Sequence, residues 1–418
     1  MADLILGGKK QIDVAVIGGG PAGLAAATEL KHRGISRVVV LDREPEAGGI
    51  PRHCGHIGFG MREFKRILTG PKYAKNLVLA ARTAGVEIHP STTVVEARPN
   101  GVLLIATDEG TEEISARRII YATGVRETPR SARLIAGSRP QGIINTGALQ
   151  SMIYLKGQKP FERPVIVGTE LVSFSAIMTC RHAKIRPVAM LEENSRVTAR
   201  WPSSLYPRLM GIPLHLGSRV VAIEGINQVS AVVIEDASGN RRTIDCDGVV
   251  LTGRFTPEAS LALCGHLTVD HATGGPVVDQ YGRCSDPVYF ATGNLLRPVE
   301  TAGWSWQEGK LIGNMVADDL DGRLPTSEKE LPVSLTGPIK FVVPQRISLP
   351  LSLSGMQNFQ LRFTHQAEGT LVVRKGADIT WSKQISALPE RRILIPIKAL
   401  LRENAGDLVE ITFRQTAG

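Results

Sequence analysis

Several features are missing from this sequence, and each absence closes off a class of function. No run reaches about 18 apolar residues, so no helix is expected to cross a membrane. The opening stretch, MADLILGGKKQIDVAVIGGG, lacks the basic start and apolar segment of a signal peptide and runs straight into a strand. A cytoplasmic location is expected. Cysteine is sparse. Cys54, Cys180, Cys246, Cys264 and Cys284 form no C-x-x-C pair, so neither zinc nor an iron–sulfur cluster is expected. An odd number at scattered positions fits a reducing compartment. The net charge is +9, yet the basic residues are dispersed and form no stripe with interleaved aromatics. Nucleic acid is therefore not an expected partner, and solubility or attraction of an anionic ligand is the better reading of the charge.

What is present is a chain of 418 residues, 43% hydrophobic and 21% charged, which suits a soluble protein of two or three domains. Its most informative stretch is DVAVIGGGPAGLAAATELKHRGISRVVVLDRE. A strand over Val14–Ile17 precedes Gly18, Gly20 and Gly23, which form G-x-G-x-x-G. An alanine-rich helix follows from about Pro21 to Arg33. A second strand, Val38–Leu41, ends at Asp42, 19 residues after Gly23. Each part has a physical role in holding a dinucleotide. Gly18 permits the tight turn, Gly20 lets the backbone approach a pyrophosphate, and Gly23 lets helix and strand pack closely. The helix N-terminus offers free N–H groups to phosphate, and Asp42 can accept from a ribose diol. IIYATGVRETP (119–129) and PVYFATGNLL (287–296) each read as a strand entering a Thr-Gly turn. Two such returns to one sheet suit FAD bound by a protein with two dinucleotide folds.

A second βαβ unit begins at VIVGTELVSF (165–174). Strand Val165–Val167, Gly168 and a helix from about Leu171 to His182 repeat the first geometry. RPVAML (186–191) ends in Glu192 and Glu193. Here, however, Glu170 stands at the middle glycine and Ser173 at the third. A carboxylate about 4 Å from a diphosphate is repelled by roughly 4 kcal/mol at an effective dielectric near 20, or around three decades in affinity. Three readings stay open: lost NAD(P) binding, NAD(P) bound in an altered pose, and a different ligand. NAD(P) is thus a doubtful second cofactor.

Taken in order, the motifs resemble the two-dinucleotide-fold flavoproteins related to the pyridine nucleotide–disulfide oxidoreductases. They are the first glycine cluster with Asp42, then Gly48-Gly49, Ala122-Thr123-Gly124, and Ala291-Thr292-Gly293-Asn294. GGIPRHCGHIGFG (48–60), LTGPKYA, TGGPVV and FVVPQRI are similar to a bacterial subgroup often encoded beside glycerol-3-phosphate dehydrogenase. The resemblance runs along essentially the whole chain. It implies FAD, and an oxidoreductase acting within a multi-component dehydrogenase. The residues expected to touch FAD are Gly18, Gly20, Pro21, Ala22, Gly23, Asp42, Arg43, Gly49, Ala122, Thr123, Gly124, Gly293, Asn294, Gly303 and Trp304. Disulfide reductases of the wider family carry two cysteines just after the Gly-Gly segment. Here Cys54 stands alone, since no other cysteine precedes Cys180. A local redox disulfide is excluded. Asn294 replaces an Asp that in many relatives holds the ribityl chain.

The resemblance also implies that the segment carrying His53, Cys54 and His56 passes the isoalloxazine ring. These three are the candidate catalytic residues, because histidine titrates where a base for an O–H or N–H proton is needed. The alternative is that they cap the loop or pack against FAD. The segment 297–320 reads as a loop entering a helix, with Gly303 and Gly309 allowing close backbone approach. Trp304 and Trp306 are candidates for the substrate face, or else core aromatics. Arg126 and Arg130 are candidate anion ligands.

The expected fold is α/β: two Rossmann-like domains plus a C-terminal antiparallel β domain. The FAD domain takes residues 1–127 and 280–325, and the NAD(P)-binding-like domain 128–279. A polar linker over 318–332 leads into short alternating strands over 333–418. This tail holds 11 basic and 6 acidic residues. Docking to a partner or a second copy is its expected role, with a structural cap as the alternative. The expected reaction is oxidation of a small hydroxyl- or amine-bearing metabolite. The expected partner is a second flavoprotein, an iron–sulfur subunit or another copy of the chain. An NAD(P)H-dependent reductase and a non-catalytic FAD scaffold are the competing readings.

Overall fold

The computed structural model describes residues 12–199, 201–352, 354–401 and 406–415. The chain forms two compact units. One comprises residues 1–49, 74–125 and 257–418, and the other 50–73 and 126–256. The segment bearing His53 belongs to the second unit, because it packs on residues about a hundred positions later in the chain. Residues 257–279 belong to the first.

The first unit is built on a seven-stranded sheet. Ile12–Ile17 lies at its centre, parallel to Val38–Leu41 on one side and to the end of Gly110–Tyr121 on the other. Glu87–His89 extends it beyond Val38–Leu41, and Tyr289–Ala291 returns beside Ile119–Tyr121. The parallel strands are continuous apolar runs because both faces are covered; Val14, Val16, Val39 and Ile120 are fully buried. On one face lie helices Pro21–His32 and Ala302–Leu320. They approach closely because Gly309 and Gly313 face Ala22 and Ala26. A Cβ at 313 would lie 2.7 Å from the Ala26 carbonyl oxygen, and one at 309 would strike that of Ala22.

The C-terminal strands form a five-stranded and a three-stranded sheet. The rings of Phe363 and Phe413, one from each, meet edge to face at 5.0 Å. Two details differ from expectation. The helix continues to Leu320 and the first strand begins at Lys329, so the linker is short. Val333–Thr336 also runs parallel to Val409–Thr412. Alternation along a strand fixes which face is buried but not the direction of its neighbour. This β layer is fastened to the nucleotide fold. Gln280 exchanges two hydrogen bonds with the Ser348 backbone at 2.7 and 2.9 Å, and Arg346 donates to the Cys284 carbonyl.

The second unit holds an all-parallel five-stranded sheet in the order Ile143–Asn145, Gly248–Leu251, Pro164–Val167, Ala189–Leu191, Leu214–His215. Helix Leu171–His182 packs on it through Phe174, Ile177 and Cys180. Among the described residues no helix is long and apolar enough to cross a membrane.

Candidate functional site

The two parallel sheets carry the same strand–turn–helix device, built on matching hydrogen bonds. In the first unit the Gly18 N–H donates to the Leu41 carbonyl at 2.8 Å; in the second the Gly168 N–H donates to that of Leu191 at 2.8 Å. Ala122 N–H to Ile17 O (2.9 Å) is matched by Thr252 N–H to Val167 O (3.0 Å). Each turn therefore sits at the carboxyl end of its sheet, where α/β folds bind ligands.

The first turn is shaped for a close-lying ligand. Gly18 has φ +106°, and a Cβ there would lie 2.5 Å from the Ala122 carbonyl oxygen. A Cβ at Gly23 would strike the Gly18 carbonyl. Both glycines are thus demanded by the protein itself. Gly20 is different. Its φ −80° and ψ −176° suit any residue, and a Cβ there would meet nothing nearer than Gly49 Cα at 4.0 Å. The chain leaves this space open, as a pyrophosphate passing over the turn requires. The helix starting at Pro21 has no side-chain cap and no acid in its first turn, so its leading N–H groups remain available to an anion.

Asp42 is buried and accepts from the Gly19 and Glu44 N–H groups, both at 2.9 Å. Its carboxylate stands at the end of the second strand, where an acid can accept from a ribose hydroxyl. The Gly48 N–H donates to the Gly19 carbonyl at 2.7 Å, which folds Gly49 against Gly20. Arg43 is exposed beside Asp42. Gly124 has open space around it, while Thr123 donates to the Glu258 carbonyl at 2.7 Å. The hydroxyl of Thr292 is buried with no hydrogen-bond partner among the described residues. Open space at Gly20, an uncapped helix and an orphaned hydroxyl together fit FAD.

Three expected contacts are otherwise engaged. Asn294 closes its own loop, accepting from the Glu300 N–H at 2.8 Å and donating to the Glu300 carbonyl at 3.1 Å. The Gly293 N–H donates to Glu308 at 3.0 Å, and Glu308 is paired with Arg297 in a buried ion pair. One face of Trp304 is covered by the Arg392 guanidinium, 4.2 Å from the ring centre. Gly303 lies in the first turn of its helix. Sequence spacing cannot show such use, because the partners come from elsewhere in the fold.

The second turn is closed by its own side chain. Glu170 has φ −70° and ψ 170°, nearly the backbone of Gly20. Its carboxylate turns back over the turn and accepts from the Ser173 and Thr252 hydroxyls, each at 3.1 Å. A Cβ at Gly168 would lie 2.5 Å from one of its oxygens, and a Cβ at Gly253 would strike the other. The side chain at the middle-glycine position thus lies against Gly168 and Gly253 at the turn. Burial pushes the Glu170 carboxyl above the usual range, and Glu192 adds to this. Glu192, the counterpart of Asp42, is buried and satisfied by Thr169, by both nitrogens of Asn194 at 2.9 and 2.6 Å, and by Thr198 at 3.3 Å. A crevice of about 350 Å³ remains beside these residues, lined also by Leu134, Glu193 and Arg254.

Within the second unit, Cys54 is a buried thiol near the Ile50 carbonyl and Gln150 Oε1, each at 3.4 Å. Burial, with the nearby Glu127 charge, pushes it up to about 12, so it is neutral at ordinary pH. His53 and His56 are half-buried. His56 Nδ1 lies 2.9 Å from the Ile57 carbonyl and its ring stacks near Phe59 at 5.3 Å. Arg130 is spent on the carbonyls of Ile135, Ala136 and Ser138, which leaves it a structural role, while Arg126 is exposed. Sequence reasoning passed over Glu127, which lies between these two arginines. It is buried and accepts from the Gly147 N–H at 2.8 Å and the Gly253 N–H at 3.2 Å. Burial raises it to about 7, against the lowering effect of those bonds and of Arg133. An acid just beyond a Thr-Gly turn was the available signal.

Two dinucleotide folds of this kind in one chain mark a flavoprotein oxidoreductase. The chain belongs to the pyridine nucleotide-disulphide oxidoreductase family, which it matches over residues 12–309. FAD is the cofactor of this family, and NAD(P) takes part in it. One component of the opine oxidase of Rhizobium meliloti is 28% identical over 185 residues, 43% of this chain and 38% of that one. Hydrogen cyanide synthase subunit HcnB of Pseudomonas protegens is 26% identical over 251 residues, 55% of this chain and 52% of that one. The chain thus spans about half or less of the length of these curated relatives. The thioredoxin reductase of T. acidophilum shares the fold at 22% identity with a TM-score of 0.64, covering 75% of this chain and 100% of that one.

Proposed function

We propose that the protein is the FAD-carrying subunit of a multi-component dehydrogenase. It oxidises a small hydroxyl- or amine-bearing metabolite and passes the electrons to a partner, without using NAD(P)H. The observation that carries this reading is Glu170, whose carboxylate fills the second cradle. The isolated, neutral Cys54 argues equally against dithiol chemistry. The similarity to components of an opine oxidase and a hydrogen cyanide synthase supports a complex. The sequence resemblance to the group encoded beside glycerol-3-phosphate dehydrogenase supports the same arrangement. A second flavoprotein or an iron–sulfur subunit fits as the acceptor, and the free cysteines fit a cytoplasmic setting.

FAD, when bound, supplies a two-electron acceptor. The chain's own residues do the rest. The turn from Gly18 to Gly23 and the helix behind it would hold the diphosphate, Asp42 would hold the ribose, and Thr292 would offer a free hydroxyl to the cofactor. His53 or His56 takes the substrate's O–H or N–H proton. The unit built on residues 12–49, 74–125 and 257–320 serves FAD. The unit with Glu170 serves as architecture, and the β layer serves as a docking module.

The test is anaerobic mixing of the holoprotein with NADH or NADPH. The flavin is expected to stay oxidised, and rapid bleaching would favour a nicotinamide-dependent reductase. If no metabolite or partner changes the flavin spectrum, the scaffold reading replaces this one.

A further inference from the structure

Glu127 is a buried titratable group that the proposed reaction does not use. Its two oxygens accept from the backbone of Gly147 and Gly253. A Cβ placed on Gly147 would lie 3.6 Å from Glu127 Oε2 and 3.9 Å from His53 Cε1. Carboxylate and imidazole therefore both border the small space beside Gly147 that a side chain there would enter. Cys54, next to His53 in the chain, is close enough for the Glu127 charge to raise its thiol. The other charged group acting on Glu127 is Arg133. Arg254, Glu170 and Glu193 act on Arg133 in turn. Asn145, Thr146 and Gln150, at the same helix, are neutral.

We propose that Glu127 is a positioning residue for His53: its ionised carboxylate stabilises the imidazolium that forms when His53 takes the substrate proton. The inference rests on the reading of His53 as the proton acceptor. In that reading the proton would move from the substrate heteroatom to the imidazole nitrogen, FAD would supply the acceptor for the hydride, and Glu127 would take no proton from the substrate. Because burial places Glu127 near 7, the support is present at slightly alkaline pH and withdrawn at slightly acid pH. Two unit charges about 7 Å apart at an effective dielectric near 20 move each other's titration by roughly one to two pH units.

The test is histidine-selective NMR titration of the holoprotein, with the His53 signal assigned by its loss in His53→Gln. Wild type is expected to show a second inflection near pH 7. Glu127→Gln should abolish that inflection and lower the His53 midpoint by roughly one to two pH units, while Glu127→Asp keeps the inflection. An identical His53 titration in wild type and Glu127→Gln overturns the proposal. If Glu127→Gln does not fold, absence of the inflection in wild type does so. Coupling without any substrate that reduces the flavin would instead defeat the proposed function and leave this pairing intact.

Discussion

Gly20 and Glu170 occupy the same place in two copies of one device, with nearly the same backbone angles. At Gly20 the chain leaves a gap that no described residue fills. At Glu170 the side chain folds into the gap and bonds to Ser173 and Thr252. The strand order, the turn hydrogen bonds and the helix persist in both. Architecture and ligand binding are thus separable: the βαβ frame is held by backbone bonds and apolar burial, while binding depends on whether a few atoms are absent.

The largest expected effect comes from copying the second turn into the first. Gly20→Glu should fold, since its backbone angles suit any residue. It should lose about three decades of FAD affinity and purify colourless, as read by absorbance and flavin titration. The reverse change, Glu170→Gly, should open the second cradle and gain up to about three decades in affinity for NADH or ADP-ribose.

Next comes pH. Glu127 rises from 4.5 unfolded to about 7 folded. The folded state therefore binds more protons between these values, and stability falls as pH rises from 4.5 through 7. The loss reaches about 3 kcal/mol above that window. Glu170 shifts in the same direction. Urea unfolding from pH 5 to 8 should show this slope, and Glu127→Gln should flatten it. The smallest effect is Thr169→Val, which removes a hydroxyl donor from buried Glu192. It should cost about 1–3 kcal/mol by thermal or urea unfolding and leave FAD content unchanged.

The first turn was legible in the sequence because its glycines encode backbone demands directly. The second frame was legible for the same reason, through Gly168 and the strand and helix around it. That Glu170 turns inward was not, because the outcome depends on Thr252, 82 residues away. Nor was the burial of Glu127, whose partners Gly147 and Gly253 arrive from a later helix and a later loop. Asn294 was read as a cofactor contact from the family resemblance, and Trp304 from its place after that motif. Their engagement by Glu300 and Arg392 is set by tertiary neighbours.

The most direct test of the closed second cradle is calorimetric titration of NADH and ADP-ribose into the wild-type holoprotein and Glu170→Gly, side by side. The account predicts heat of binding in the variant and none in wild type. Equal, tight binding by both proteins would contradict it.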